Sequence, residues 1–216
     1  MQSTGKHKGD VEVVTLQDNI LKHYQDIVIC VDVMFVQKVP FLYTISRYIK
    51  TITLLSGKAR VKSEELLYGL QHVIKLYQLR GFNVVSIIGD LEFEPIRSDL
   101  LPIDLMTEAV DDHVDEAEKS IRTIKESVRC MLHSMPFKYI PKFMLIRLLG
   151  QAVKSWNQLP VHNGVSTQLS PMSIKVGRKM PSYESLKLTF GTYVQVHAND
   201  VSINDVSART IGAIAL

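Results

Sequence analysis

The hydrophobic and polar positions at the start of the chain follow the pattern of strands. Residues 27–36 are apolar at every position except Asp32, so 26–36 predicts a first strand that is buried on both faces. Residues 41–47 alternate and residues 48–55 are rich in Ile and Thr, which predicts a second and a third strand after a turn at Val39-Pro40. We expect the first two strands to pair antiparallel.

In the next part of the chain, apolar residues recur at the spacing of a helix instead of that of a strand. Residues 63–79 carry apolar side chains on one side, and Ser63 can cap the predicted helix. A second apolar run, 83–88, predicts a fourth strand, and helical spacing returns in 114–134 and 141–157. Three strands, a helix, a strand and two helices predict a mixed α/β domain with helices packed on its sheet.

The remaining segments have weaker patterns. In residues 91–112, two prolines interrupt the sequence, and a short helix or strand is predicted near 96–106. Residues 158–185 are rich in loop-forming residues, and 186–196 predicts a short strand or hairpin outside the core.

Composition indicates a globular protein. The chain has 216 residues, of which 46% are hydrophobic and 22% are charged, enough for one α/β domain with extensions. No apolar stretch approaches the roughly 18–20 residues that cross a bilayer, so we expect no membrane partner. Cys30 and Cys130 fall on apolar faces and are expected to be buried free thiols.

Charge is segregated along the chain although the net charge is only +3. Residues 81–112 contain eight acids and one base, whereas residues 113–180 contain eleven Lys and Arg and four acids. An acidic region suits cations and a basic region suits phosphates. Ordinary solubilising charge is the alternative, above all for the acidic segment.

Two acids stand at strand positions. Asp32 lies inside the first apolar run, where a buried carboxylate needs a partner or a metal ion. Asp90 follows Gly89 at the C-terminal end of the fourth strand, the edge at which α/β sheets bind ligands. A crossover through the helix 63–79 would bring these two strands close together. The alternative is an acid at a strand edge with local hydrogen bonds.

The helix 114–134 places an acid in line with bases. Glu118, Arg122, Lys125 and Arg129 fall within an arc of about 60°, beside the apolar stripe of the same helix. The alternative is a solvated face with ion pairs at i,i+3 and i,i+4 spacing.

Asp32, Asp90 and Glu118 resemble, in this order, the D…D…E triad of retroelement integrases. The sequence from Glu118 to Ile124, EKSIRTI, resembles the helix that carries the glutamate of that family. Residues 169–181, LSPMSIKVGRKMP, and residues 188–197, LTFGTYVQVH, resemble the segment that follows the catalytic core in Copia-type polyproteins.

This resemblance spans roughly residues 24–212 and implies a ribonuclease-H-like α/β fold. That fold has three layers, with a mixed sheet of three antiparallel strands and then parallel strands, flanked by helices. It further implies a linker or polyprotein remnant at 1–23, a catalytic core at 24–158 and a post-core extension at 159–216.

The activity that the resemblance implies is DNA strand transfer with two Mg²⁺ or Mn²⁺ ions. Asp32 would bridge both ions, and Asp90 and Glu118 would each hold one. The ions would activate a water for end processing and then a DNA 3′-hydroxyl for joining. Lys119, Arg122, Lys125 and Arg129 would hold the DNA backbone.

The implied partners are the DNA ends of the element, the target DNA and further copies of the chain. The implied location is the nucleus, together with cytoplasmic virus-like particles where the element is active.

Some positions depart from the family pattern. The gap between Asp90 and Glu118 is shorter, Leu91 stands where Asn or Gly is usual, and Glu116 competes with Glu118. Three function classes therefore stay open from sequence. They are an active integrase, a catalytically dead DNA-binding or assembly module from a decayed element, and an unrelated α/β protein.

Overall fold

Helices and strands make up most of the described part of the chain, which covers residues 14–16, 18–57, 62–107, 115–137, 139–162, 164–177, 188–197 and 210–216 of the computed structural model. The helices are α1 (Asp18–Tyr24), α2 (Ser63–Gln78), a 3₁₀ helix (Leu91–Leu100), α3 (Asp115–Ser134), α4 (Lys142–Gln158) and α5 (Pro171–Val176). The strands are β1 (Asp26–Val36), β2 (Val39–Ser46), β3 (Ile52–Ser56), β4 (Asn83–Gly89), β5 (Asp104–Thr107), β6 (Tyr193–His197) and β7 (Thr210–Ile214).

Five of these strands form one mixed sheet in the order β3-β2-β1-β4-β5. β2 pairs antiparallel with β1 and β3, whereas β4 pairs parallel with β1 and β5. Three antiparallel strands followed by parallel strands, with helices on both faces, form a ribonuclease-H-like three-layer fold, so the predicted fold class is confirmed. β6 and β7 pair antiparallel in a separate two-stranded sheet.

β1 is the central strand, and its side chains alternate between two hydrophobic cores. Ile29 and Val31 lie in the core shared with α2 and the 3₁₀ helix. Cys30 and Met34 lie in the core shared with α3 and α4. Because both faces are covered, the strand needs apolar residues at almost every position. Asp32 falls on the same face as Cys30 and Met34, under α3.

The first hairpin turns two residues earlier than predicted. Gln37 and Lys38 form the turn with φ of 48° and 65°, and Val39-Pro40 belongs to β2 rather than to the turn. Two central residues with positive φ give a turn whose twist matches that of a hairpin. The sequence signal for such a turn is Asn-Gly or Asp-Gly, which this chain lacks here. The turn was therefore misplaced in the prediction.

The third strand is shorter than predicted. It begins at Ile52 instead of residue 48, because residues 47–49 form a turn and Lys50 has a φ of 60°. The helical predictions agree with α2, α3 and α4 to within one residue at each end. Ser63 does not cap α2, since the cap position is Lys62 and no side chain bonds there.

The weakly patterned segments contain more structure than the sequence indicated. The 3₁₀ helix and β5 both fall within or beside the predicted 96–106 element. α5 lies inside the stretch predicted as loops, where Ser170 caps its start and Gly177, at φ 73°, ends it. β6 lies in the region predicted as a strand or hairpin. Residues 178–181 of the Copia-like segment lie outside the described residues.

The two cysteines differ in their exposure. Cys30 is buried as expected, but Cys130 is exposed, because it lies on the solvent side of α3.

The domain boundaries stay a prediction. Within residues 1–23, α1 begins at Asp18 and buries Ile20 in the core that lies on the α2 side of the sheet. Among the described helices, none combines the length and apolar character needed to cross a membrane.

A buried lysine joins α5 to the sheet. The side chain of Lys175 is 6% exposed, donates to Thr53 Oγ1 at 2.5 Å and lies 5.2 Å from the centroid of the Tyr77 ring. It forms no ion pair within the described part of the chain. Burial without a compensating carboxylate lowers its pKa from 10.5 to about 8.

Replacing Lys175 by Met should therefore stabilise the fold at neutral pH. Below pH 8 the wild type carries the full cost of a buried cation, on the order of 3 kcal/mol at most. Between pH 8 and 10.5 the unfolded chain binds more protons than the folded chain, so wild-type stability rises with pH. We expect urea unfolding of Lys175→Met to lack this rise.

The control is Lys154→Met, which changes an exposed lysine on α4 and should leave the pH dependence as in wild type. A Lys175→Met chain that is less stable than wild type at pH 7 would refute the assigned burial cost.

Candidate active site

The parallel pairing of β1 with β4 brings the two strand acids to one edge of the sheet. The register aligns Cys30 with Ile88, so Asp32 and Asp90 each lie two residues beyond the same aligned pair. Gly89 permits this close pairing. A Cβ atom there would lie 2.6 Å from Val31 Cγ2, which no real contact allows. Any larger residue at position 89 would collide with Val31 and Phe93 and force the end of β4 or these side chains to shift.

The carboxylates at this edge act on one another electrostatically. Burial raises the pKa of Asp32 above its ordinary value of 3.8, and the negative charges of Asp90 and Glu118 raise it further. The backbone N–H of Val33 and the charge of Lys125 act in the opposite direction. Asp90 and Glu118 are therefore near enough to Asp32 for their charges to act on it.

α3 carries Glu118 to this edge by burying its apolar stripe. Ala117, Ile121, Ile124 and Val128 are buried against the sheet. The face beside that stripe then borders β1. The apolar face predicted for this helix is therefore confirmed.

One cleft of about 450 Å³ joins the acidic and the basic residues. Asp32 and Glu118 line it together with Arg122, Lys125 and Arg129. The remaining lining comes from β1 and from Ile121. Asp90 and Lys119 are not among the residues that line this cleft, although the charge of Asp90 reaches Asp32.

One basic side chain of the cleft already forms an ion pair within α3. Arg129 pairs with Glu126 at i,i+3 spacing on the exposed surface of α3, as expected for a solvated helix face. An exposed pair of this kind contributes little stability and can be exchanged for another anion.

Glu116, the competing glutamate, is held away from the cleft. Its carboxylate accepts hydrogen bonds from Arg47, at 3.4 Å, and from Lys50 at the turn between β2 and β3. These ion pairs give Glu116 a role in anchoring the first turn of α3. Glu118 is thus the glutamate of this helix that borders the cleft.

Glu92 is a fourth acid near the site, and the sequence analysis did not identify it. Burial raises its pKa, as do the charges of Asp32 and Asp90. Its position two residues after Asp90, at the start of the 3₁₀ helix, was the available signal. Glu94 differs, because Arg97 donates to it at 2.7 and 2.8 Å.

The donor set fits a hard divalent cation in its chemistry. Carboxylate oxygens are the ligands that Mg²⁺ and Mn²⁺ prefer, and a cation would offset the repulsion felt by Asp32. As the side chains stand, the described residues contain no group of three or more His, Cys, Asp and Glu that could hold a metal ion.

Comparison with known proteins yields similarity only at the level of solved structures, since no family model and no curated protein matches the chain. The HTLV-2 integrase catalytic core domain in complex with magnesium, in its trimeric form, is 18% identical with a TM-score of 0.48, over 68% of this chain and 95% of that one. The catalytic core domain of BIV integrase is 12% identical with a TM-score of 0.48, over 69% and 93%. The simian T-cell lymphotropic virus intasome, in complex with the PP2A regulatory subunit B56 gamma, is 14% identical with a TM-score of 0.48, over 88% and 81%. At these values the similarities carry no assignment of residues or activity to this chain.

Neutralising Asp32 should stabilise the folded chain at pH 7. Asp32→Asn removes a charge that burial, Asp90 and Glu118 disfavour. Because the folded-state pKa is raised, ionised Asp32 costs stability above that pKa, and the cost disappears as the pH falls below 3.8. We expect a gain of a few tenths to about 1 kcal/mol after allowance for solvent screening.

Urea unfolding at pH 7 and at pH 3 measures this difference, which should vanish at the lower pH. Asp99→Asn, an exposed position on the 3₁₀ helix, is the matched control and should change stability little. Destabilisation by Asp32→Asn at pH 7 would rule out the proposed repulsion.

Proposed function

We propose that this chain is an integrase-type polynucleotidyl transferase of a Copia-type retroelement, which processes element DNA ends and joins them to target DNA. The supporting observation is the single cleft that carboxylates and bases line together. Bases alone would suit any polyanion, and acids alone would suit any cation. Their combination suits a substrate whose phosphates are held and react at the same place.

In this proposal Asp32, Asp90 and Glu118 would hold Mg²⁺ or Mn²⁺, and Asp32 would be the ligand common to the ions. Divalent cations bound there would stabilise charge on the attacking and leaving oxygens of a phosphodiester. Asp32 is suited to this role because its carboxylate is half-buried and repelled by both neighbours. A cation converts that repulsion into binding energy.

The basic residues of α3 position the DNA backbone. Arg122, Lys125 and Arg129 face the same cleft as Asp32, so phosphates neutralised by them lie beside the carboxylates. Lys119 belongs to the same proposal, as a contact at the outer part of the helix. These contacts fix the register of the DNA without reading its sequence.

Partners and location follow from the proposed reaction. Joining both ends of an element requires two active sites, so a homo-oligomer on element and target DNA is part of the proposal. Structures of the HTLV-2 integrase catalytic core domain are known in a trimeric and a dimeric form. The proposed place of action is the nucleus, where target DNA lies, with virus-like particles in the cytoplasm as a second location for an active element.

Removing the basic residues of the cleft should weaken DNA binding and its salt dependence. In Arg122→Ala/Lys125→Ala/Arg129→Ala, each lost phosphate contact removes about 0.9 from the slope of log K against log salt. We therefore expect the slope to fall by about 2 to 3 while the fold stays intact, because these side chains lie off the buried stripe. Fluorescence anisotropy with a DNA duplex at several salt concentrations measures the slope.

The matched control is Lys142→Ala/Arg147→Ala/Lys154→Ala. It removes the same number of exposed bases from α4, and none of these residues lines the cleft. Equal slopes for the two triple variants would mean that the α3 bases form an ordinary solvated helix face and have no role in DNA binding.

Asp32→Asn should abolish joining without loss of fold. Removing the shared ligand should reduce strand transfer by more than the roughly 10- to 100-fold typical of groups that only orient a metal ligand. The assay supplies the terminal DNA of the element, Mg²⁺ or Mn²⁺ and a plasmid target. Asp99→Asn serves as the control and should join DNA at the wild-type rate.

Three results separate the open function classes. Joining by wild type but not by Asp32→Asn supports the proposed activity. Salt-dependent DNA binding without joining in either chain identifies a catalytically dead module. Absence of both binding and joining indicates an unrelated α/β protein.

A further inference from the structure

A partly buried hydrogen bond connects α3 to the strand beside the site. Tyr43, which is fully buried in β2, shares a hydrogen bond of 2.5 Å between its Oη and Ser120 Oγ on α3. Tyr43 pairs directly with Asp32 of β1 in the antiparallel register. Paired residues of this kind project to the same face of a sheet, so Tyr43 and Asp32 both lie under α3.

α3 forms side-chain hydrogen bonds with β2 and with the turn that follows β2, and these bonds involve one flank of the helix. At 100° per residue, Ser120 lies about 40° from Glu116, which Arg47 and Lys50 hold. Glu118 lies about 160° from Ser120, on the flank that borders the cleft. One flank of the helix is thus attached to β2, and the other presents Glu118 to β1.

The rotation of α3 about its own axis decides where Glu118 points. The buried stripe of apolar side chains resists separation from the sheet, but apolar contacts have little directional preference and permit a small rotation. A hydrogen bond is directional and restricts that rotation. At about 6 Å from the axis, a rotation of about 20° moves a side-chain end by about 2 Å. That displacement is about the length of one Mg²⁺–oxygen bond.

We propose that Tyr43 and Ser120 are positioning residues, which fix the rotation of α3 and hold Glu118 opposite Asp32. This inference rests on the proposed function, because it concerns Glu118 as a ligand of a divalent cation. Tyr43 also supports the site from a second side, since it packs next to Asp32 in the sheet. Its hydroxyl is deeply buried and needs a partner, which Ser120 supplies.

The test measures Mn²⁺ binding to the full chain by electron paramagnetic resonance, without DNA. Tyr43→Phe removes the hydroxyl and keeps the ring, and Ser120→Ala removes the other partner. Both variants should bind Mn²⁺ about tenfold more weakly, as expected when a group that orients a ligand is lost. Ser120→Thr retains a hydroxyl and should restore binding to within about twofold of wild type.

The chain offers a matched control on the same helix flank. Ser127 lies seven residues, about two turns, beyond Ser120 and accepts a hydrogen bond from Trp156 Nε1 at 3.2 Å. Ser127→Ala therefore removes another side-chain hydrogen bond of α3, a more exposed one to α4, far from Glu118. It should bind Mn²⁺ like wild type, whereas a general loosening of α3 would weaken binding in both alanine variants.

The outcomes distinguish this inference from the function on which it rests. Binding that depends on Asp32 but is unchanged in both Tyr43→Phe and Ser120→Ala overturns the inference alone. The inference alone is also overturned if Ser127→Ala weakens Mn²⁺ binding as much as Ser120→Ala does. If Asp32→Asn binds Mn²⁺ as wild type does, the proposed metal site and the inference both fail. Thermal unfolding of each variant identifies any chain that does not fold, and Ser120→Ala then replaces Tyr43→Phe as the deciding variant.

Discussion

Like charges meet where β1 and β4 run side by side, and that pairing holds Asp32 and Asp90 together against their repulsion. Burial, together with the charges of Asp90 and Glu118, raises the pKa of Asp32, and the hydrophobic cores on both faces of β1 offset the cost in stability. Gly89 makes the close pairing possible, because a side chain there would collide with Val31. A cluster of acids at a sheet edge is therefore a product of the backbone arrangement, and the remaining parts of the site are arranged around it.

α3 provides Glu118 and the basic residues of the cleft. Its apolar stripe sets which side faces the sheet. Its polar contacts with β2 and with the turn after β2 act on one flank, and the cleft forms on the other. Glu118 and the three bases of the cleft consequently come from a single helix and lie along the same face of it. A helix arranged in this way holds a carboxylate and a basic face in fixed relation to each other, as the proposed cation and phosphate sites require.

Much of this arrangement could be predicted because it depends on the regular spacing of apolar residues along the sequence. The apolar run of β1 and the stripe of α3 have unambiguous spacing, so the position of Asp32 and the phase of Glu118 could be read from sequence. The turn at Gln37-Lys38 could not, because it uses left-handed residues without Gly, Asn or Asp. Glu92 and the Tyr43–Ser120 contact were missed for a different reason. Their roles depend on distances across the fold, which a single sequence does not encode locally.

The contrast between the two cysteines has a practical consequence. Cys30 is enclosed in β1, whereas Cys130 is exposed on α3, directly after Arg129 of the cleft. A thiol-reactive dye would therefore attach at a single position of the native chain, because reaction requires access to the thiolate. Its emission would respond to molecules that approach the basic end of the cleft. The unmodified protein thus carries a built-in attachment point for following the occupancy of its own cleft in solution.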